Sequence, residues 1–574
     1  MMWKKIRKSV ALFSAAALTM GTLAGCGGGS TETASSVTEQ AASTEQAAGG
    51  EESQQDASGG GRETLTVGVV KSSYVEDYDT NYLTRLIEEE CNVDLEFVYL
   101  PGTTADAKSK FAVMASSGTT LPDIVIQENF FSGTELLDYG SKGIFIPLND
   151  YISDESKAVY FSQIPEEDRE KMIQASTSPD GNIYSLTKFA PEEWNLTPYR
   201  FWLNRTWLDT LGLEAPTTTD ELYEVLKAFV TEDPNGNGVA DEIGITGCLD
   251  GWGCNAVMYL LNSFVFYNGG LALDETGTTV VAPFVTDEWR QALEYMNQLC
   301  SEGLLSPTIF TQDASQYTAT LSNEPEIVGG GAAGGDGYWS GGNQSENFQD
   351  MEMLPPVEGP NGVAYAYYFD YTPVSAFVIT KDCQNPDLAF KVGDFFYRQD
   401  VSLTSRYGEE NVDWSSDPEI CSQYEGMYEA MEGIPCTMAQ LTDLWSIPAQ
   451  NKHWKDIGPS YRSLDMYHGI SAGLKSEDGE PNIAAVMRQE SRANYYDKHP
   501  EYVLPTLQYT QEESDRIAEP QENVNSYVNQ SLAEFVTGNR SLNDWDAYVE
   551  ELNNMGLQEW IETAQTAYDR MQNQ

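Results

Sequence analysis

The sequence predicts an α/β protein in which mostly parallel sheets are flanked by helices, and three observations support this. The chain from residue 65 has the pattern of strand, helix, strand, helix and strand that parallel sheets show. From Glu63 to Gln574 the composition is rich in large apolar residues, and 512 residues can form two large lobes. A second α/β unit begins near Tyr199.

The first unit opens with an alternating strand at Leu65–Val70. Thr80 can cap a following helix, whose apolar residues at 83, 86 and 87 share one face, and Asn92 ends it. The next elements are a strand at Val93–Leu100, a helix near Ala105–Ser116 and a strand at Leu121–Ile126.

The loop after the first strand is a candidate binding loop. In open parallel sheets, ligands bind beyond the carboxyl ends of the strands. This loop runs from Ser72 to Asn81 and carries polar and aromatic side chains at Tyr74, Tyr78, Asp79 and Asn81.

Helical signals dominate the rest of the chain. After a strand at Tyr199–Leu203, a short helix stops at Gly212, and Thr218-x-x-Glu221 forms a capping box before a helix that contains Phe229. The later elements are a strand at Ser375–Thr380, a helix opened by Asn385-Pro386, a helix capped by Ser541 and stopped by Gly556, and an amphipathic continuation at Trp560–Met571.

The amino terminus predicts export. A basic start and an apolar run at Val10–Leu18 form a secretory signal peptide over residues 1–25. It ends in Leu23-Ala-Gly-Cys26, which resembles the lipobox of bacterial lipoproteins; the alternative is an ordinary signal peptide that contains a cysteine. We expect Cys26 to be lipidated, residues 26–62 to be a disordered tether, and the mature protein to be extracytoplasmic and anchored to the bacterial cell membrane.

Charge and cysteine content exclude several classes. The net charge of −57 becomes −61 when the four basic signal residues are lost, and such a surface repels nucleic acid. No CxxC motif and only three His residues are present, so zinc or haem chemistry is not expected. The seven other cysteines are interpreted as small core residues rather than a disulfide framework; the close pairs are Cys248/Cys254 and Cys421/Cys436.

A loop after the Phe229 helix has the oxygen spacing of a calcium loop. Oxygen-bearing side chains stand at positions 1, 3, 5 and 9, with glycine at position 6. Position 12 is Gly244 rather than Glu, and the alternative is a Gly/Asn-rich turn that binds nothing. We expect a structural Ca²⁺ held by Asp233, Asn235, Asn237, the carbonyl of Val239, Asp241 and Glu242.

Taken together, the ordered motifs resemble a known family. The motifs are the lipobox, Leu121-Pro-Asp-Ile, Asp180-Gly-Asn-Ile-Tyr-Ser-Leu, Asn204-Arg-Thr-Trp-Leu-Asp-Thr-Leu-Gly, Pro216-Thr-Thr-Thr-Asp-Glu, the Asp233 loop, Arg406-Tyr-Gly-Glu with Asp413-Trp, and Ala567-Tyr-Asp-Arg. The chain resembles family 1 extracellular solute-binding proteins of ABC importers, in the large branch that includes alginate-oligosaccharide-binding proteins. Members of this branch carry a calcium loop like the one at Asp233.

The resemblance implies a two-lobe, periplasmic-binding-protein-like fold with a hinge that the chain crosses several times. It implies an amino-terminal lobe of residues 63–190 plus roughly 375–450, and a carboxyl-terminal lobe of 191–374 plus roughly 451–574. The crossings are expected near Lys188–Tyr199, Tyr371–Ala376 and Met438–Trp454. A monomer is expected, with an oligosaccharide bound between the lobes and an ABC permease as the membrane partner.

Position and chemistry select the candidate sugar contacts, because aromatic faces stack on apolar ring faces and planar polar groups bond hydroxyls. Beside Tyr78, Asp79 and Asn81 of the first loop, the candidates are Trp194, Trp252, Tyr338, Trp339, Asp370, Tyr371 and Arg406.

The leading hypothesis is therefore a non-catalytic oligosaccharide-binding lipoprotein. An exported glycan-active enzyme is the first alternative, because 89 acidic residues always allow a carboxylate pair, although no nucleophile elbow or zinc motif is present. A binding protein that feeds a sensor rather than a permease is the second.

Overall fold

The computed structural model describes residues 61–442, 449–477 and 479–572, and its body from Thr64 onward contains two main sheets. The strands are β1 (Glu63–Val70), β2 (Val93–Leu100), β3 (Ile124–Ile126), β4 (Leu186–Phe189), β5 (Phe201–Asn204), β6 (Ile243–Thr246), β7 (Ala272–Leu273), β8 (Val280–Val281), β9 (Val328–Ala332), β10 (Met351–Leu354), β11 (Val374–Ile379), β12 (Trp414–Ser415), β13 (Tyr424–Gly426), β14 (Ala439–Gln440), β15 (Ser460–Tyr461) and β16 (Ser471–Leu474).

The helices surround these sheets. They span Tyr82–Cys91, Thr104–Ser117, Gly133–Ser141, Asn149–Ile152, Glu166–Ser176, Glu193–Leu196, Arg205–Leu211, Thr219–Thr231, Ala256–Leu261, Asp287–Ser301, Ala314–Leu321, Glu346–Gln349, Pro386–Phe395, Gln399–Tyr407, Pro418–Cys421, Glu429–Glu432, Leu464–His468, Ile483–Ser491, Gln511–Val536, Trp545–Asn554 and Leu557–Gln572. Within the described part of the chain, none of them has the length and apolar character needed to cross a membrane.

The two main sheets confirm the predicted α/β fold, but their strand pairing is mixed rather than mostly parallel. The first sheet has the strand order β15-β4-β11-β3-β1-β2. Of its strand pairs with a known register, the two that involve β11 are antiparallel and the others are parallel. The second has the order β10-β5-β9-β6, in which β5 runs opposite to both neighbours. The carboxyl ends of β1, β3, β4 and β15 therefore share one edge, as do those of β6, β9 and β10.

Local signals placed most helix ends correctly. Gly212 ends its helix in the left-handed conformation, and Asn385 caps the helix that Pro386 begins. The first helix is capped by Asn81 rather than Thr80, because the Asn81 side chain accepts the N–H of Leu83. Thr218 does cap its helix, but the Glu221 carboxylate accepts from Thr217, so the expected capping box is only half formed.

The chain crosses between the sheets at two of the three expected places. It passes from β4 to β5 over residues 190–200 and from β10 to β11 over residues 355–373. The structure does not support the expected third crossing at Met438–Trp454, because β15 follows this segment and pairs in parallel with β4 of the first sheet.

Only the start of the segment assigned to the second lobe, roughly 451–574, is corrected for the same reason. Trp454 is buried in the first core, where its ring lies 5.4 Å from that of Phe97 and its indole N–H donates to Thr84. This hydrophobic anchoring holds the segment before β15 against the first sheet, because a fully buried aromatic residue dominates local packing energetics.

Candidate functional site

The first crossing segment brings the carboxyl end of β4 to loops that follow strands of the second sheet. It carries Trp194, whose ring centroid lies 6.4 Å from that of Trp252 in the loop after β6. The carbonyl of Trp252 accepts the N–H of Gly334, which follows β9. These loops lie where ligands bind in open α/β sheets.

Arg200 fixes this group of loops. Its side chain is fully buried, and it donates to Ser491 Oγ at 2.7 Å and to the carbonyl of Gly334 at 2.7 Å. Its guanidinium carbon lies 3.3 Å from the centroid of the Trp194 ring and 5.8 Å from that of Trp252, within the range of cation–π attraction. One guanidinium thus ties the crossing segment to two loops and a helix.

Trp252 is the open ring of this group. It is 44 % exposed, whereas Trp194 is 9 % exposed and has both Arg200 and Arg488 near its ring. Trp252 lies directly on Gly334, where an added Cβ would come within 2.1 Å of the indole. The glycine-rich composition of these loops therefore permits the close approach that positions Trp252.

A buried charge cluster occupies the neighbouring edge of the first sheet. The Asp456 carboxylate accepts from Arg462 at 2.6 Å and pairs with Lys188 at 2.8 Å and Arg406 at 3.2 Å. Burial alone would raise the pKa of Asp456, but these three cations hold it well below its usual range. Asp456 and the preceding Lys455 both have left-handed backbone angles, φ 63° and 59°, which cost free energy in non-glycine residues.

The charge cluster and the tryptophan group are continuous. Glu192, Arg406 and Arg488 line a cavity of about 140 Å³. Arg488 pairs with Glu192, and its guanidinium carbon lies 4.5 Å from the centroid of the Trp194 ring. Burial would raise the pKa of Glu192, but Arg488 and Arg406 lower it. The site thus combines an open indole ring with fixed ionic groups that can hydrogen-bond hydroxyls.

Two predicted aromatic contacts are core residues instead. Tyr78 is 2 % exposed and packs against Phe97 and Trp454 in the first core. Trp339 is 1 % exposed and packs against Trp202 and Phe348. Both follow strands in the sequence, but tertiary packing covers their rings, so neither can stack on a ligand in this conformation.

The polar candidates of the first loop are also separated from the tryptophan group. Asn81 is fully buried as a helix cap, and its amide also donates to the carbonyl of His453. Asp79 is exposed, and partial burial and the nearby acidic groups Asp77 and Glu96 raise its pKa. In the same loop Tyr74 is 50 % exposed, with the Lys455 ammonium 4.6 Å from its ring centroid. Tyr74 is therefore the exposed aromatic ring of this loop.

Tyr371 and Asp370 lie at the second crossing. The Tyr371 hydroxyl accepts the N–H of Ala190 at 2.5 Å and donates to the carbonyl of Lys188 at 3.2 Å, so it joins two crossing segments. Both residues line a cavity of about 630 Å³ that runs along the crossings and also contacts Tyr368. This cavity also lies at the carboxyl end of β4, since Phe189 lines it. We place the candidate site at Trp252 because its ring is open, whereas Tyr368 in the cavity is 7 % exposed.

Of the other predicted contacts, Trp194 and Arg406 belong to the site described above, and Tyr338 borders it. Tyr338 is half-buried and interacts with Cys254 beside Trp252. Arg200, Arg488 and Lys188 were missed. Arg200 precedes β5 directly, but no sequence signal distinguishes its buried guanidinium from a surface arginine.

The predicted calcium loop forms a tight turn between the helix Thr219–Thr231 and β6. Left-handed angles at Asp233, Gly236 and Gly238 fold it back on itself, and both Asp233 carboxylate oxygens accept the N–H of Gly238. The amide of Asn237 donates to Asp241 at 3.0 Å. Hydrogen bonds within the turn thus link Asp233 to Gly238 and Asn237 to Asp241.

The environment of Glu242 bears on whether this loop can hold a cation. It is 9 % exposed, and its Oε1 is buried without a hydrogen-bond partner. A buried carboxylate oxygen costs free energy unless it is paired or coordinates a metal. Among the described residues, no group of three or more His, Cys, Asp or Glu side chains is placed to hold a metal ion. The three carboxylates of the loop, at Asp233, Asp241 and Glu242, are therefore not brought together as such a group in this conformation. Amide and carbonyl oxygens make up the other half of the expected donors.

Comparisons with known proteins agree with this architecture. The family model described as bacterial extracellular solute-binding protein matches residues 73–401. The fructooligosaccharide ABC transporter substrate-binding protein FusA of Streptococcus pneumoniae serotype 4 is 26 % identical over 510 residues, which cover 87 % of this chain and 88 % of FusA.

Solved structures share the fold. FusA in complex with kestose aligns with a TM-score of 0.70 at 24 % identity over 89 % of this chain and all of that one, and a FusA EF-hand mutant with fructo-nystose aligns with 0.69 at 24 % identity over the same shares. A solute-binding protein described as HMO binding from Bifidobacterium longum infantis gives 0.70 at 22 % identity, over 89 % and 99 % of the two chains. The alginate-binding protein AlgQ2 without calcium ion gives 0.60 at 20 % identity, over 88 % and 98 %.

Proposed function

Because the chain belongs to the family of bacterial extracellular solute-binding proteins, we propose that it captures an oligosaccharide and delivers it to an ABC importer in the membrane. The related FusA is named as a fructooligosaccharide-binding protein of such a transporter, and the match covers most of both chains. The ligand is bound without chemical conversion, as in the rest of the family.

The exposed Trp252 ring is the observation that carries this proposal. Sugar rings have apolar C–H faces that stack on aromatic side chains, and their hydroxyls need fixed donors and acceptors. Trp252 offers the ring, and Arg488, Glu192 and Arg406 offer the polar groups around the adjoining cavity. Since Arg200 holds the surrounding loops, little ordering would oppose binding.

The proposal is tested by calorimetric titration of the purified mature protein with defined fructooligosaccharides, human-milk oligosaccharides and alginate oligosaccharides. We expect one of these classes to bind with 1:1 stoichiometry and to be recovered intact. Chromatography of the incubated glycans is the control. Glycan turnover that disappears on substitution of one carboxylate at the site would contradict the proposal and indicate an exported enzyme.

We further propose that residues 233–242 bind a structural Ca²⁺. The support is the buried oxygen of Glu242 that has no hydrogen-bond partner, the oxygen spacing of the loop with its Asn237–Asp241 hydrogen bond, and a likeness in fold to proteins whose names refer to an EF-hand and to calcium. Asn235 and the carbonyl of Val239 complete the donor set. Ca²⁺ bound here would connect the end of the helix Thr219–Thr231 to β6.

Calcium removal gives a direct measurement. A ligand of the native state raises the melting temperature by mass action. EDTA should therefore lower the melting temperature of the calcium-loaded protein and Ca²⁺ should restore it, while Asp233→Ala should remove the response. An unchanged melting temperature after verified calcium removal would contradict the proposal.

Anchoring at Cys26 is the third part of the proposal. Cys26 lies outside the described residues, and the support is the sequence pattern together with the extracellular family. We expect mass spectrometry of the membrane-associated protein to show acyl chains on an amino-terminal Cys26, and Cys26→Ser to release the protein or leave it unprocessed. An unmodified amino terminus elsewhere in the membrane-associated protein would contradict anchoring at Cys26.

A further inference from the structure

Two cysteines close the loop that carries Trp252. Cys248 and Cys254 are both fully buried thiols, and the N–H of Cys248 donates to the carbonyl of Cys254 at 3.1 Å. Disulfides form where two Cα atoms lie about 4.4–6.8 Å apart. This hydrogen bond brings the backbones of the two cysteines close together across the loop.

The two sulfur atoms also lie together. A Cβ added at Gly251 would come within 2.6 Å of the Cys254 sulfur and 3.0 Å of the Cys248 sulfur, so both sulfurs occupy the space beneath this glycine. The two thiols interact directly with each other, and burial raises the pKa of both. Only glycine leaves room here for two adjacent sulfurs.

We propose that Cys248 and Cys254 form a disulfide that closes the Trp252 loop. The two thiols lose two protons and two electrons, and an Sγ–Sγ bond forms. The electrons and protons reduce the disulfide of an extracytoplasmic thiol oxidant to two thiols. Disulfides persist outside the cytoplasm, where proteins of this family reside.

Burial determines when the bond forms and how long it persists. Thiolate is the reacting species, and the raised thiol pKa values make it scarce in the folded protein. The bond therefore forms while the loop is still accessible during folding. Once the sulfurs are buried, an external thiolate cannot reach them, so the bridge resists reduction in the native state.

The bridge would limit the freedom of the loop. Trp252 stands between Gly251 and Gly253, and Gly253 has a φ of 70°. Glycines allow many backbone conformations, and a covalent closure removes those in which the indole leaves the site. This consequence rests on the proposed oligosaccharide-binding function, whereas the existence of the bridge does not.

Peptide mapping tests the bridge directly. The mature protein is purified without reductant, denatured and alkylated, and then cleaved before Asp250, which separates the two cysteines. We expect Cys248 and Cys254 in linked peptides that separate only after reduction, while Cys300 in the helix Asp287–Ser301 is alkylated and serves as the matched control. Alkylation of Cys248 and Cys254 to the same extent as Cys300 would overturn the proposal.

A variant completes the test. In Cys248→Ser, Cys254 should become open to alkylation after denaturation. Replacement of both cysteines by serine should weaken oligosaccharide binding by about threefold, because the loop must then be ordered on binding. The mapping uses no sugar, so failure of the mapping and failure of the proposed function are distinguishable.

Discussion

Replacement of Trp252 by alanine should weaken oligosaccharide binding while the protein remains folded. Trp252 is the exposed ring of the candidate site, and its neighbours in the protein are Gly334, the ring of Trp194 and the more distant guanidinium of Arg200. Its removal therefore takes away surface that a ligand would cover without opening a cavity in the core.

The expected magnitude follows from the exposed area. A tryptophan side chain presents at most roughly 250 Å², so the exposed 44 % of Trp252 corresponds to about 100 Å². Covering all of it would contribute at most about 2.5 kcal/mol at about 25 cal/mol per Å². A sugar ring covers one face, or about half of this, so the variant should lose roughly five- to tenfold in Kd.

Calorimetric titration of wild type and Trp252→Ala with the same oligosaccharide measures the effect. Tyr502→Ala is the matched control, because Tyr502 is also large, 42 % exposed and packed on a glycine, Gly277. We expect the control to bind as wild type does and both variants to melt within a few degrees of it. Equal affinity of Trp252→Ala and wild type would refute our placement of the site, even if the protein binds the sugar.

Three further outcomes are expected. Gly334→Ala should weaken oligosaccharide binding as much as Trp252→Ala does in the same titration, since the added Cβ would displace the indole of Trp252. Wild-type affinity of Gly334→Ala would show that the contact between Gly334 and Trp252 is dispensable. Trp339→Ala should lower the free energy of unfolding in urea by about 3–5 kcal/mol, because the ring is buried, and an unchanged stability would contradict its core position. Burial, and to a lesser extent Lys455, lowers the pKa of His453 to about 4, against about 6.5 in the unfolded chain. The unfolded state therefore binds the proton at a higher pH than the native state does. Lowering the pH from 7 to 5 should lower the free energy of unfolding of the wild type by about 2 kcal/mol, a loss that His453→Gln should not show. Equal pH dependence in wild type and variant would refute the lowered pKa of His453.

Much of the fold could be predicted from local sequence features. The alternating segment at residues 65–70 forms β1, and Gly212 and Asn385 mark helix ends as their chemistry indicates. The long helix Gln511–Val536 was not predicted, although Thr510 and Glu513 form a capping box at its start. That signal is readable in the sequence because the residues it joins are three positions apart.

The candidate site was less accessible to sequence analysis. Trp252 and Trp339 both lie in glycine-rich loops and look equivalent in the sequence, but one is open and the other is covered by Trp202 and Phe348. The third crossing was misplaced because Trp454 is held by Phe97, a residue far away in the chain.

By itself, the sequence determined the α/β class and the oxygen spacing of residues 233–242, and it predicted an export signal, because strand alternation, apolar runs and oxygen spacing are properties of short segments. Only the tertiary structure decided which aromatic rings remain exposed and that Arg200 joins the crossing segment to the loops after β6 and β9. Burial and ion pairing depend on residues that meet after folding. A single sequence does not specify those neighbours locally.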